Sequence, residues 1–238
     1  MSRLTNTDVV ILCGGLGQRL RSVIGENQKV MAPVNNEPFL NVLLKDLAAQ
    51  GGQRIILCTG YKADTVENYY RRNNLGLQIE FSPEEEPLGT GGAVKNARNL
   101  IKSNPFVVMN GDSFCPLDYK KFFQFFLTKK ALLAIAIYKA DAHKDFGLLT
   151  IDDQKVIKKF YEKAEVVQGA AYLNAGVYVG DQEIFKLMPK GRKFSLEQDF
   201  FPMLTDKSFF GFEVAKPFVD IGQPERFVQA EQLLKRTK

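Results

Sequence analysis

Val9-Val10-Ile11-Leu12-Cys13 runs without a spacer into Gly14-Gly15-Leu16-Gly17-Gln18-Arg19-Leu20-Arg21. The first five residues carry no side-chain charge and are rich in β-branched types, so they read as a strand covered on both faces, the kind found in parallel sheets. Working outward, Pro38 to Gln50 places Phe39, Leu40, Val42, Leu43, Leu44 and Leu47 on one broad apolar helical face. A strand at Arg54 to Thr59, a helix over Lys62 to Arg72, a strand at Gln78 to Phe81, a helix opening near Thr90 and a strand at Phe106 to Asn110 continue the alternation. That is the βαβ rhythm of a parallel sheet built by right-handed crossovers.

After Ala131 to Tyr138 the pattern changes. Leu148 to Ile151 and Val156 to Tyr161, joined through Asp152-Asp153-Gln154, predict paired strands, and Tyr172 to Val179 follows them as part of a mixed or antiparallel extension. Helical segments at Glu183 to Leu187 and Leu196 to Leu204 precede a strand at Phe209 to Val214, and Pro224 to Lys235 reads as a closing helix with Pro in its first turn. There is no repeat, low-complexity tract or linker, so the expectation is one domain over residues 1–238, with halves of about 1–140 and about 141–238. Phe209, Phe210 and Phe212 are either core or an interface patch, which leaves a homo-oligomer open.

Composition narrows the function classes. A chain of 238 residues with 45% hydrophobic content can bury the core of one large α/β domain. Its 32 Lys+Arg against 27 Asp+Glu give a net charge of +5, dispersed along the chain, which favours small anionic ligands over nucleic acid. Cys13, Cys58 and Cys115 cannot all pair, lack a C-x-x-C spacing and lie in or beside apolar runs, as buried thiols do. Met1 to Asp8 has no apolar run, and no stretch has the roughly 18 apolar residues of a membrane span. The expectation is therefore a cytoplasmic chain that engages neither membrane nor nucleic acid.

The glycine loop is where chemistry enters. A segment so poor in side chains lets backbone N–H groups approach a polyphosphate, with Arg19 and Arg21 supplying charge; it can equally be a tight strand exit with solvated arginines. As a dinucleotide fingerprint it lacks the third glycine, because Leu20 stands there, and the P-loop Gly-Lys-Ser/Thr ending is missing. What decides is the continuation: Lys29 follows ten residues after Arg19, and Met31-Ala32-Pro33-Val34 comes next.

With that continuation the sequence resembles the sugar-1-phosphate nucleotidyltransferases, whose signature is G-G-x-G-x-R-L, a spacer, P-K and a hydrophobic-x-P segment. The resemblance spans nearly the whole chain, through Glu86-Pro87-Leu88-Gly89-Thr90-Gly91-Gly92-Ala93, Asn110-Gly111-Asp112, Phe146-Gly147, Glu162-Lys163, Asn174-Ala175-Gly176-Val177-Tyr178 and Asp220-Ile221-Gly222-Gln223-Pro224, in the family's order. Within the family, Leu20-Arg21-Ser22-Val23, Glu37-Pro38-Phe39-Leu40 and the Glu86 to Ala93 stretch resemble the D-glycero-alpha-D-manno-heptose 1-phosphate guanylyltransferase branch. Two departures stand out: Gln28 replaces the proline before the signature lysine, which loosens the expected loop, and Ala164 replaces the proline after Glu162-Lys163.

The resemblance implies a Rossmann-like, doubly wound, mostly parallel α/β sheet with helices on both faces and an antiparallel sugar-binding extension. It implies attack of a sugar 1-phosphate on the α-phosphorus of a nucleoside triphosphate, GTP for the heptose branch, with loss of pyrophosphate. Such a reaction needs no enzyme nucleophile; positioning and charge neutralisation suffice. Arg19 and Lys29 would follow the β- and γ-phosphates. Asp112, an ionised carboxylate at the end of a buried strand, needs a cation, and Mg²⁺ fits it; the alternative is a strand-end turn. The family supplies Asp220 as the second metal ligand. Cys13, Gly14, Gly15, Gly17, Glu86, Thr90, Gly91 and Asn110 would form the nucleotide pocket, although Thr90 can also be a plain helix cap. Gly147, Glu162, Lys163 and Asn174 would line the sugar side, and lone His143 reads as a loop residue.

Two other readings remain at this point. An NAD-dependent oxidoreductase on a similar sheet would want an acidic residue ending the second strand, where Cys58-Thr59-Gly60 stands. A catalytically inactive nucleotide-sensing relative would be expected to have lost one of Arg19, Lys29, Asp112 or Asp220, and all four are present.

Overall fold

The computed structural model describes residues 3–15, 17–139, 148–161, 171–191, 193–205 and 208–235. Nine strands form one sheet: β1 (Asp8–Leu12), β2 (Arg54–Thr59), β3 (Gln78–Pro83), β4 (Phe106–Asn110), β5 (Leu133–Lys139), β6 (Leu148–Ile151), β7 (Ile157–Tyr161), β8 (Tyr172–Gly180) and β9 (Phe209–Glu213). β3, β2, β1 and β4 lie side by side and all run parallel. Because β1 continues outward to β2 and β3 on one side while β4 lies on the other, the strand order reverses between β1 and β4. Ligand crevices open at such a reversal, beyond the carboxyl ends of the strands.

The antiparallel extension grafts onto β4. Residues Val177 to Gly180 of β8 pair with Met109 to Phe106, while Tyr172 and Leu173 at its other end pair with the β6–β7 hairpin, so the sheet forks around β8. β5 pairs antiparallel along the other edge of β8 and carries β9 in parallel.

Alternation along the strands divides the core into two layers. Val9 and Ile11 face α1 (Phe39–Ala49), α2 (Ala63–Arg72) and α4 (Tyr119–Thr128), whereas Val10, Ile56 and Cys58 face α3 (Gly89–Asn96). In α1 the buried Phe39, Leu40, Leu43, Leu44 and Leu47 repeat at helical spacing, which is why this segment can cover a sheet. The closing helix α5 (Pro224–Lys235) lies on the α1 side through Phe227 and Ala230. The Phe209 to Phe212 run goes to core on both faces: Phe209 is fully buried against Phe160 and Phe201, while Phe210 and Phe212 lean on Phe125 of α4.

Two details depart from the sequence reading. Leu196 to Leu204 is not one α-helix: it begins as a π turn over Leu196–Phe200 and becomes α-helical only at Phe201–Leu204. The Ser195 hydroxyl caps the turn by accepting from the Glu197 and Gln198 amides, and Pro202 has no N–H with which to extend an i→i−4 ladder backward. A two-residue ladder also pairs Ser113–Phe114 with Val219–Asp220, placing Asp220 opposite Ser113.

Candidate active site

The carboxyl ends of β1 and β4 open into a cleft of two chambers. The larger, about 820 Å³, is lined by Gly15, Gly17, Arg19, Lys29, Asn110, Asp112, Asp220 and Arg226, and on its far side by Phe160, Tyr161, Asn174, Glu197 and Phe218. The smaller, about 280 Å³, is lined by Cys13, Gly14, Gly15, Gln28, Glu84, Gly89, Thr90 and Asn110. Lys29, Asn110 and Asp112 belong to both, so a ligand filling the two chambers passes beside them.

The acidic pair is assembled by backbone. Ile221 N–H donates to the Asp112 carbonyl at 3.0 Å, and the Ser113 hydroxyl lies 3.2 Å from an Asp112 carboxylate oxygen and 3.4 Å from one of Asp220. Each carboxylate also has a cation: Lys29 Nζ is 2.5 Å from Asp112 Oδ2, and Arg226 is 3.6 Å from Asp220 Oδ1. Gly222 N–H donates to Asp220 Oδ1 at 2.6 Å. Two hard carboxylate oxygens facing one crevice fit a Mg²⁺-type ion that would take the place of Lys29 on Asp112 and draw its other ligands from phosphate and water. Among the described residues no third Asp, Glu, His or Cys joins them.

The cations differ in readiness. Arg19 is exposed in the larger chamber and has no ion-pair partner among the described residues. Arg21 lines neither chamber: it sits 3.9 Å from Glu26 and 5.8 Å from the Tyr61 ring, on the outer face of the loop. Arg226, which the sequence reading overlooked, enters the cleft from α5.

In the smaller chamber the structure places a different glutamate from the one expected. Glu86 is exposed and lines neither chamber; Glu84 takes the inward place. The reason is local, since Glu84 N–H donates to the Thr59 carbonyl at 2.7 Å, prolonging the sheet one residue past β3, and its carboxylate folds back to accept from Leu88 N–H at 2.9 Å. A Cβ on Gly14 would come within 2.5 Å of the other Glu84 oxygen, so only glycine allows the carboxylate this close. Burial pushes the Glu84 carboxyl above its ordinary value, opposed by the Leu88 amide.

Thr90 faces the chamber, but its hydroxyl is engaged, donating to Glu197 Oε2 and accepting from Leu196 N–H, both at 2.8 Å. Gly91 is fixed by packing: its amide donates to the Phe194 carbonyl at 3.0 Å, and a Cβ would meet the Phe194 ring at 2.2 Å. Asn110 Oδ1 is buried without a hydrogen-bond partner among the described residues, a ready acceptor between the chambers. On the sugar side, Asn174 donates to the Tyr178 hydroxyl at 2.8 Å, and Tyr178 reaches Glu197 at 3.4 Å. Gly147, Glu162, Lys163 and His143 lie outside the described residues.

A glycine loop after β1, a lysine shared by two chambers and an acidic pair beyond β4 meet at one cleft of an α/β sheet, and the chain belongs to the nucleotidyl transferase family, whose model matches residues 8–237. A D-glycero-alpha-D-manno-heptose 1-phosphate guanylyltransferase of Aneurinibacillus thermoaerophilus is 39% identical over 228 residues, covering 95% of this chain and 98% of the relative. One of the same description from Campylobacter jejuni is 34% identical over 221 residues, covering 92% and 96%. The crystal structure of HddC from Yersinia pseudotuberculosis complexed with GMP-PN is 41% identical, with a TM-score of 0.85 over 96% of this chain and 99% of that one. Among the described residues no helix is long and apolar enough to cross a membrane.

Proposed function

We propose that the chain transfers GMP from GTP to D-glycero-alpha-D-manno-heptose 1-phosphate, giving a GDP-heptose and pyrophosphate for surface glycan assembly. The observation that carries this reading is the two-chambered cleft with Lys29 and Asp112 in the shared wall, which gives a nucleotide and a sugar phosphate adjoining seats. The names of the relatives support the choice of base and sugar. Glu84 supports guanine independently: a carboxylate facing a base pocket accepts from N1–H and the N2 amine, two donors on one edge that only guanine offers.

A sugar-phosphate oxygen attacks the α-phosphorus, the bond to the β-phosphate bridging oxygen breaks, and pyrophosphate leaves with the electron pair. Gly15 backbone, Arg19 and Lys29 hold the triphosphate and neutralise charge that grows on the leaving group. Asp112 and Asp220 would hold Mg²⁺, which when bound supplies further neutralisation of phosphate charge. Asn174, Phe160, Tyr161 and Phe218 wall the larger chamber, where the sugar would lie, with Glu162, Lys163 and Gly147 proposed to complete its grip. The two halves act as one domain in this reading, supported by the unbroken β4–β8 pairing.

The test is pyrophosphate release from four nucleoside triphosphates against heptose, mannose and glucose 1-phosphates with Mg²⁺. Fastest turnover with GTP and the heptose phosphate is expected. Faster turnover with UTP, CTP or dTTP would transfer the chain to another branch, and no release with any pair would leave the inactive-relative reading.

A further inference from the structure

Gln28 is 1% exposed, an uncharged polar side chain in the wall of the smaller chamber, and both ends of its amide are used. Nε2 donates to the Cys13 carbonyl, where β1 hands over to the glycine loop, and Oε1 accepts from Val30 N–H at 2.6 Å. One partner is a carbonyl and the other an N–H, so the orientation of the amide is dictated by them. The two bonds straddle Lys29. They clamp the turn Lys29–Met31 to the start of the glycine loop, and the Lys29 stem packs beneath Gly17, where a Cβ would approach it to 3.2 Å.

The backbone of Gln28 adds a second observation. Its φ of −68° is the value a proline ring imposes, its ψ of 135° is one proline adopts, and its own N–H makes no hydrogen bond among the described residues. Proline therefore suits this position; here the same constraint is applied by a buried side chain that also reaches across to the neighbouring loop.

We infer that Gln28 is a positioning residue that holds Lys29 in register with the glycine loop by tying Val30 to Cys13. The kinetic half of this inference rests on the proposed guanylyltransfer; the structural half does not. Without the clamp, Lys29 Nζ loses its fixed approach to the shared wall, and misplacement of a charge-neutralising group by about 1 Å can cost on the order of 100-fold in rate.

The experiment compares the full-length wild type, Gln28→Ala and Gln28→Pro, each with Lys29 or with Lys29→Ala, by amide hydrogen exchange over residues 28–34 and by pyrophosphate release. Gln28→Ala should speed exchange of the Val30 amide about tenfold or more and lower kcat about tenfold, with KM for the sugar phosphate changed less than twofold. Gln28→Pro should recover most of the lost kcat. In the Lys29→Ala background Gln28→Ala should cost less than twofold, since a residue acting through Lys29 has nothing left to position. Unchanged exchange, or kcat losses that multiply, would overturn the inference. If the wild type shows no turnover, guanylyltransfer fails and the exchange comparison alone decides the clamp. If Gln28→Ala does not fold, Gln28→Met, which keeps most of the buried bulk and removes both hydrogen bonds, takes its place: faster exchange of the Val30 amide supports the inference and unchanged exchange overturns it.

Discussion

Replacing Glu84 with Gln removes one charge from the wall of the proposed base pocket and leaves its shape almost unchanged. The retained amide oxygen can still accept from Leu88 N–H, which now sits 2.9 Å from the carboxylate, so the turn after β3 keeps its internal bond. The remaining position, beside Gly14, changes from an anionic acceptor to an amide N–H donor that would face guanine's own N1–H or N2 amine. A hydrogen bond to a charged acceptor is worth about 1.5–3 kcal/mol net. Taking about 2 kcal/mol, kcat/KM for GTP should fall about 30-fold. Inosine triphosphate lacks the N2 amine, so the wild type should prefer GTP over it about tenfold, and the variant should nearly lose that preference. Pyrophosphate release with both nucleotides at saturating heptose 1-phosphate measures the ratio. Because burial raises the Glu84 carboxyl, its negative charge is lost on acidification before that of an ordinary glutamate. The wild-type ratio should therefore decline as pH falls, while the Gln variant stays flat. A Glu84→Gln enzyme with the wild-type ratio and GTP turnover within twofold would show that guanine is read elsewhere.

Asp112→Asn and Asp220→Asn should each lower kcat roughly 100-fold, with the double variant little worse than the poorer single, and Mn²⁺ titration should show weakened binding in both; multiplicative losses with unaltered Mn²⁺ affinity would separate the two carboxylates. Arg19→Ala and Lys29→Ala should each cost roughly 100-fold or more in kcat, whereas Arg21→Ala, on the outer face, should change kcat less than threefold in the same assay. Asp46 on α1 tests stability: burial raises its carboxyl to about 6, so the fold disfavours the charged form and Asp46→Asn should stabilise the protein above pH 6. The gain, on the order of 2 kcal/mol at pH 8 after allowing for partial solvent contact, should shrink as pH falls and vanish below about pH 4, as read by urea unfolding.

The βαβ half was legible because apolar runs such as Val9 to Leu12 and Ile55 to Cys58 are long enough, and regular enough, to admit one reading. The acidic pair was legible from family order rather than from physics: nothing local to Phe218-Val219-Asp220 announces a partner strand at Ser113. Three consecutive glutamates, Glu84, Glu85 and Glu86, differ only in where the backbone turns, and the Glu84 amide bond to Thr59, which decides it, joins segments 25 positions apart in sequence. Thr90 and Gly91 look like ligand contacts in sequence because small residues at a helix start suit a flat base. The Thr90 hydroxyl and the Gly91 amide are engaged by Glu197 and Phe194, which follow more than 100 positions later, while Thr90 still lines the smaller chamber. Glu197 itself carried no signal, since its inward aim depends on a π turn that no residue pattern specifies.

The free site is already electrically paired. Lys29 neutralises Asp112, with side-chain exposures of 13% and 32%, and Arg226 neutralises Asp220, at 22% and 19%. Two carboxylates this close would repel each other in a half-buried crevice, and each would lack part of its hydration. The two cations offset both costs before any ligand arrives. The proposed reaction brings a polyanion into the same crevice, and Lys29 lines both chambers. It can therefore pass from carboxylate to phosphate without crossing bulk water, provided another cation takes its place on Asp112. In the proposed reaction the lysine and the acidic pair form one exchange system, and such a system requires the backbone around Lys29 to be held as firmly as the strands that carry the carboxylates.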